Sequence, residues 1–277
     1  MSRGGEAPLF SSATHESVDM ALSRTMLTVT ALDDLPLVRS GDDLGALLIA
    51  ALDRARLELR PFDILVIAQK IVSKAEGRLL DLTTVVPSPR AVEIAAIANK
   101  DARLIEAILR ESEEVVRVKR GVVIAATRCG LVMANAGIDR SNLSAEDRGE
   151  RVLLLPVDPD GSAKRLKARL DAHYGVEIGL VISDSVGRAW RLGAIGLAIG
   201  AAGIPSIQDR RGEPDLAGRP LEVTEVGFAD AVAAAAVLLM GEAAEGRPAV
   251  VVRGLEWEQP PRPASALIRP RSEDLFR

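Results

Sequence analysis

With 277 residues, 48% of them hydrophobic, the chain can bury one large core or two small ones, and 3% aromatics leave that core to Ala, Val, Leu and Ile. A formal net charge of −4 gives no reason to expect nucleic acid, because phosphate-backbone binding shows as a basic excess. One cysteine, Cys129, excludes an internal disulfide framework and fits a reducing cytoplasm, and no apolar run is long enough to span a membrane.

Residues 1–25 read as a polar leader, disordered by composition and without the apolar stretch of a signal peptide. Met26–Val38 predicts a strand, a turn and then the extended run Leu35-Pro36-Leu37-Val38, since Pro36 is excluded from a central strand or a helix interior. Asp42-Asp43 predict a helix start, with Leu44, Leu47, Leu48, Ala51 and Leu52 following at helical spacing. Phe62–Ala68 predicts a buried strand. Gln69–Arg78 then reads as a basic loop; its Lys70 and Lys74 are either ordinary surface lysines or a phosphate clamp at the strand's end. Ala91–Glu113 predicts one long helical region, and Glu114–Asn135 a meander of short antiparallel strands.

The meander leads into A-N-A-G-I-D-R-S-N (Ala134–Asn142), where Gly137 can bend the backbone and Asp139 and Asn142 supply a carboxylate and an amide. Val152–Pro156 predicts a strand, and Ser162 a helix cap. The basic face that follows (Lys164, Arg165, Lys167, Arg169) reads as solvated. Val176–Ser183 predicts a strand ended by Asp184-Ser185. Gly193–Ile207 is rich in Gly and Ala, but its glycine spacing does not fit the dinucleotide fingerprint, and no Walker A sequence occurs. Gln208–Pro220 is a polar, turn-rich connection of the length that often carries function. Phe228–Met240 predicts a helix and Ala249–Arg253 a last strand. From Glu256 onward the chain is rich in Pro and Arg and reads as a tail, which sets a body of 26–256 between the leader and a tail of 257–277.

Asp139, Asp184 and Glu242 each end an apolar element, where hard oxygen donors for a divalent cation and a phosphorylated ligand can converge; Ser185 adds a hydroxyl. The bland alternative is that each Asp only caps its element. Histidine catalysis has no support, because His15 lies in the leader and His173 ends a surface helix. Thiolate zinc is excluded by the cysteine count, and Cys129 itself reads as a small packing group. Trp190 either stacks on a ring or fills the core, and Arg188 and Arg191 beside it can bind carboxylate or phosphate.

These segments carry a resemblance. L-P-L-V, I-V-S-K-A-E-G-R, A-N-A-G-I-D-x-S-N, L-P-x-D-P-D-x-S-A and I-S-D-S-x-G-R-x-W-R stand in the order found in the coenzyme F420-0:γ-glutamyl ligase (CofE) family. R-G-x-x-D-x-x-G-R-x-L-x-V-T and M-G-x-A-x-E-G-x-P also look like that family, and together the motifs span Thr28 to Arg253. The resemblance implies an α+β fold of mixed sheets with helices, forming an intertwined homodimer. It implies addition of L-glutamate to the lactyl-phospho-deazaflavin F420-0 with GTP, Mg²⁺ or Mn²⁺ (two per site) and K⁺. By motif, Asp139 and Asp184 would hold one metal, and Ser185 with Glu242 a second. Leu35, Pro36, Leu37, Val38, Gln69, Lys70, Lys74 and Asn142 would line the nucleotide, with Met240, Gly241, Glu242, Ala243, Ala244, Glu245, Gly246 and Arg247. Ser185 stands in place of the family's usual threonine and keeps the hydroxyl. Two other classes remain open: a metal-dependent phosphohydrolase on another substrate, and a non-catalytic nucleotide-binding protein.

Overall fold

Short β-branched runs and longer alanine- or leucine-rich runs alternate along this chain, and they fold as strands and helices in turn. The computed structural model describes residues 26–141 and 150–275, so the expected leader and Asn142 lie outside the described residues. The first part holds β1 (Thr28–Ala31), α1 (Leu44–Arg54), β2 (Ile64–Ala68), α2 (Gln69–Ala75), β3 (Leu79–Asp81), α3 (Pro89–Ala98) and α4 (Ala102–Arg110). Next come β4 (Ser112–Lys119), β5 (Val122–Thr127), β6 (Val132–Ala134), β7 (Arg151–Leu153) and α5 (Pro159–Tyr174). The last part holds β8 (Gly179–Arg188), β9 (Arg191–Ala202), β10 (Gln208–Asp209), β11 (Glu225–Val226), α6 (Phe228–Met240) and β12 (Ala249–Arg253).

A five-stranded sheet of order β1-β12-β2-β8-β9 is the centre of the molecule. Only β2 and β8 run parallel; the other neighbours are antiparallel. Successive side chains of its strands point to opposite faces, and both faces are apolar. Leu65, Ile67, Leu180, Ile182 and Val251 pack under α1, α2 and α5. Ile64, Val66, Val181, Val250 and Val252 pack on the other face, against α6. A third core joins α3 and α4 to the β4-β5-β6 sheet. The architecture is therefore mixed, with several sheets and helices on both sides of the main one. The expected meander is the β4-β5-β6 sheet, and the helix Phe228–Met240 and the strand Ala249–Arg253 form over the expected residues.

Several local expectations need correction. Gln69–Arg78 is not a loop: α2 occupies Gln69–Ala75, because no breaker occurs before Gly77 and Ile71 and Val72 are drawn into the core. The region expected as one long helix is two. Asn99 takes a left-handed conformation (φ 52°), Asp101 caps α4, and the chain is already in β4 by Ser112. β8 does not stop before Asp184 but runs on to Arg188, held by its pairing with β9. Asp158, not Ser162, caps α5; the Ser162 hydroxyl instead donates to Glu76. The basic face of α5 is paired, Arg165 with Glu76, Lys167 with Asp171 and Arg169 with Asp43. After Glu256, Trp257 packs on Phe62 and Phe228, and Ala264 is buried in the α6 core.

The Gly/Ala run is β9, and its small residues have a packing cause. A Cβ on Gly196 would lie 2.3 Å from the Ala233 carbonyl oxygen of α6, and one on Gly200 would lie 2.4 Å from the Pro159 carbonyl oxygen of α5. Glycine lets a helix backbone approach each face of this strand. The glycines are there for close packing, not for a phosphate.

Candidate functional site

Four of the five central strands bring functional residues to one edge of the sheet. Their register sets Ala31 of β1, Ala249 of β12, Ala68 of β2 and Ser183 of β8 side by side there. The chain leaves this edge through Leu35–Val38 after β1, enters β12 from the Met240–Arg247 loop, passes from β2 directly into α2, and continues through Asp184 and Ser185 along β8. Ligands of open α/β sheets bind at such carboxyl ends of parallel strands.

The centre of the site is a group of four polar side chains. Lys70 Nζ lies 2.6 Å from Asp139 Oδ2 and donates to Ser141 Oγ at 2.6 Å. Ser141 turns back on Asp139, its backbone N–H donating to Oδ1 (2.7 Å) and its hydroxyl to Oδ2 (2.8 Å). Burial alone would push the Asp139 carboxyl up, but the Lys70 ammonium and the Ser141 bonds prevail and hold it below the usual range. Asp184 behaves oppositely. Burial pushes its carboxyl up to about 6, with the Asp139 charge adding to the rise; the Ser185 N–H, the Lys70 charge and Gln69 offset only part of it. Two carboxylates that repel each other thus share one neighbouring ammonium.

Gln69 fixes one side of this group. It is buried, and Ser73, one helical turn on and also buried, donates its hydroxyl to Gln69 Oε1 at 2.8 Å. With its oxygen engaged, the amide turns its NH₂ to the Asp184 carboxylate. On the outer side, Ser185 Oγ donates to Glu242 Oε1 at 2.7 Å, tying β8 to the end of α6. The loop after α6 begins at Gly241 (φ 76°), a conformation costly for residues with a Cβ. Glu245 folds back to accept the Ala243 N–H at 2.8 Å, and Arg247 pairs with Asp33 at 3.2 Å. Lys74 lies one turn beyond Lys70, on the same side of α2.

The structure therefore brings Gln69, Lys70, Asp139 and Asp184 together, and separately joins Ser185 to Glu242. Leu35–Val38 and Met240–Arg247 border the same edge. Of the four residues Leu35–Val38, Val38 is buried and Leu37 is 83% exposed. Ser73 and Ser141 escape a reading of the sequence, because each acts through one bond to a site residue; the sole local signal was their position inside the quoted motifs. Among the described residues no three His, Cys, Asp or Glu side chains gather closely enough to enclose a metal. The donors are nonetheless all hard oxygens, and the shared ammonium of Lys70 stands where a cation offsets both carboxylates. Such a set suits Mg²⁺ or Mn²⁺, which keep few protein ligands and take phosphate oxygens and waters for the rest. A cavity of about 260 Å³ between α1, α2 and α5 contains none of these residues; the site is an open crevice.

An α/β crevice of paired carboxylates beside two lysines defines the class: a protein handling anionic small molecules. The sequence profile of the F420-0:Gamma-glutamyl ligase family matches residues 34–254. The coenzyme F420:L-glutamate ligase of Methanothermobacter thermautotrophicus is 47% identical over 253 residues, 91% of this chain and 99% of the relative. That of Methanopyrus kandleri is 47% identical over 244 residues (87% and 93%), and that of Methanocaldococcus jannaschii 39% over 244 (88% and 94%). The chain belongs to the F420-0:γ-glutamyl ligase family. No helix among the described residues is long and apolar enough to cross a membrane.

Proposed function

We propose that this protein joins L-glutamate to F420-0 through a γ-glutamyl amide bond at the expense of GTP, in the cytoplasm and as a homodimer. The observation that carries the reading is the crevice in which Asp139 and Asp184 oppose each other beside Lys70. Family membership supplies the acceptor and the amino acid; GTP, the metals and the acyl phosphate are the proposal's own.

In this reading Asp139 and Asp184 hold one Mg²⁺ or Mn²⁺ and Ser185 with Glu242 a second, with K⁺ assisting. Bound there, the ions supply neutralising charge to the triphosphate. Lys70 and Lys74 add fixed positive charge, while Leu35–Val38, Gln69, Asn142 and Met240–Arg247 line the nucleotide. The protein's part is mainly positioning. The acceptor carboxylate attacks the γ-phosphorus, GDP leaves, and an acyl phosphate forms. The glutamate amine then attacks the acyl carbon; phosphate leaves and the nitrogen loses a proton. Asp139 serves as a ligand here, since a carboxylate held by a cation is a poor base.

The test is incubation with GTP, L-glutamate, F420-0 and Mn²⁺. The expected result is GDP release together with a mass gain of one or more glutamyl units on F420-0. Absence of GDP release under these conditions overturns the reading, and phosphate release without a glutamate requirement points to a phosphohydrolase.

A further inference from the structure

Beyond Ser185, β8 and β9 leave the sheet as a two-stranded arm. A Cβ added at Gly187 or at Gly193 would meet nothing within 4 Å, so the arm stands clear of the described body. Arg188 and Arg191 are direct cross-strand partners at its end, joined by the two-residue turn Ala189-Trp190. Like charges placed opposite each other across a strand pair destabilise it. Among the described residues neither guanidinium has an ion-pair or hydrogen-bond partner to relieve that repulsion. Trp190 occupies the turn at φ 60°, a region a bulky side chain enters only against strain, and it is 81% exposed. The chain has two tryptophans and 3% aromatics. One of them sits on a strained, water-exposed tip between two unpaired cations, an arrangement that weakens the free arm and suits a ligand.

We propose that this arm binds the acceptor, Arg188 and Arg191 taking a phosphate-type anion and Trp190 stacking on a planar heteroaromatic ring. The inference rests on the ligase reading above and adds to it where the acceptor lies. A guanidinium pair matches phosphate oxygens in a fork, and an indole face accepts a flat ring. Both substrates of that reading carry a ring and phosphate, so position decides between them. The nucleotide's expected contacts lie on the β1, β12 and β2 side of Asp184, whereas the arm extends from the β8 and β9 side. Three residues separate Ser185 from Arg188, about 10 Å along a strand. An anion held there lies within an arginine side chain's reach of the carboxylate crevice.

The direct test uses the Trp257→Phe protein, in which Trp190 is the remaining tryptophan, titrated with F420-0 or with GTP. F420-0 is expected to quench Trp190 emission saturably and GTP is not; quenching by GTP alone overturns the proposal. Kinetics supply a second test. Arg188→Gln with Arg191→Gln should raise the KM for F420-0 at least tenfold while leaving the KM for GTP and the sedimentation coefficient unchanged. Trp190→Gly, which relieves the strained turn, should keep or raise Tm and still raise the KM for F420-0. An unchanged KM for F420-0 overturns the assignment. So does a smaller sedimentation coefficient with both KM values raised equally, which would make the arm a subunit contact. If the wild-type protein forms no glutamyl product yet F420-0 still quenches Trp190, the ligase reading falls and this site stands.

Discussion

Asp184 is a carboxylate half-buried at a sheet edge, facing a second carboxylate across one lysine. Its raised pKa has a definite consequence for stability. Between the unfolded value of 3.8 and about 6, the folded chain binds more protons than the unfolded chain. Without metal, stability should therefore fall as pH rises through that window and level off above it. Asp184→Asn should remove this slope and raise Tm at pH 7 while abolishing ligation, as thermal melts across pH 4–8 would show. Mn²⁺ should raise the wild-type Tm more at pH 7 than at pH 5, because the ion competes with a proton at the lower pH. Gln69 offers a complementary case. Gln69→Leu leaves the buried Ser73 hydroxyl and the inner side of Asp184 without their amide, and urea denaturation should show a loss of about 1–3 kcal/mol.

At the scale of elements, composition misleads where packing chooses the conformation. β9 looks like a glycine-rich loop because it must admit two helix backbones, and periodicity carries no record of a neighbour's approach. Gly200→Ala tests this. The new methyl would meet the Pro159 carbonyl, and α5 cannot retreat, since Asp160 is tied to the Ala201 and Ala264 N–H groups. A destabilisation of about 1–3 kcal/mol is expected in urea. By contrast α6 and β12 form over the expected spans, because one has a long alanine-rich run and the other a short valine run between breakers. α2 failed that rule: seven residues are too few for periodicity to show, and β-branched Ile71 and Val72 disguise a helix that its docking on β2 and β8 stabilises.

Across the whole molecule, the sheet that presents the site is closed at its far edge by an ion pair. Arg253, ending β12, donates to the fully buried Asp63 at 2.7 and 2.6 Å and to the Glu58 carbonyl at 2.8 Å. Arg253→Ala would leave a buried carboxylate without its cation, and denaturant melts should register a loss of about 3–5 kcal/mol. The residue motifs carried most of the candidate site: Asp139, Asp184, Ser185 and Glu242 were legible as oxygen donors, and Gln69 and Lys70 by resemblance. The unmatched cations at Arg188 and Arg191 could not be read, because the register that opposes them exists only in the folded hairpin. Sequence by itself determined the family, the apolar runs and the residue types able to meet a cation and a phosphate. Tertiary structure alone decided that Asp139 and Asp184 share Lys70, and that Ser185 rather than a metal-binding triad meets Glu242. The reason is physical: those contacts depend on the strand order β1-β12-β2-β8-β9, which long-range burial selects and local spacing does not encode.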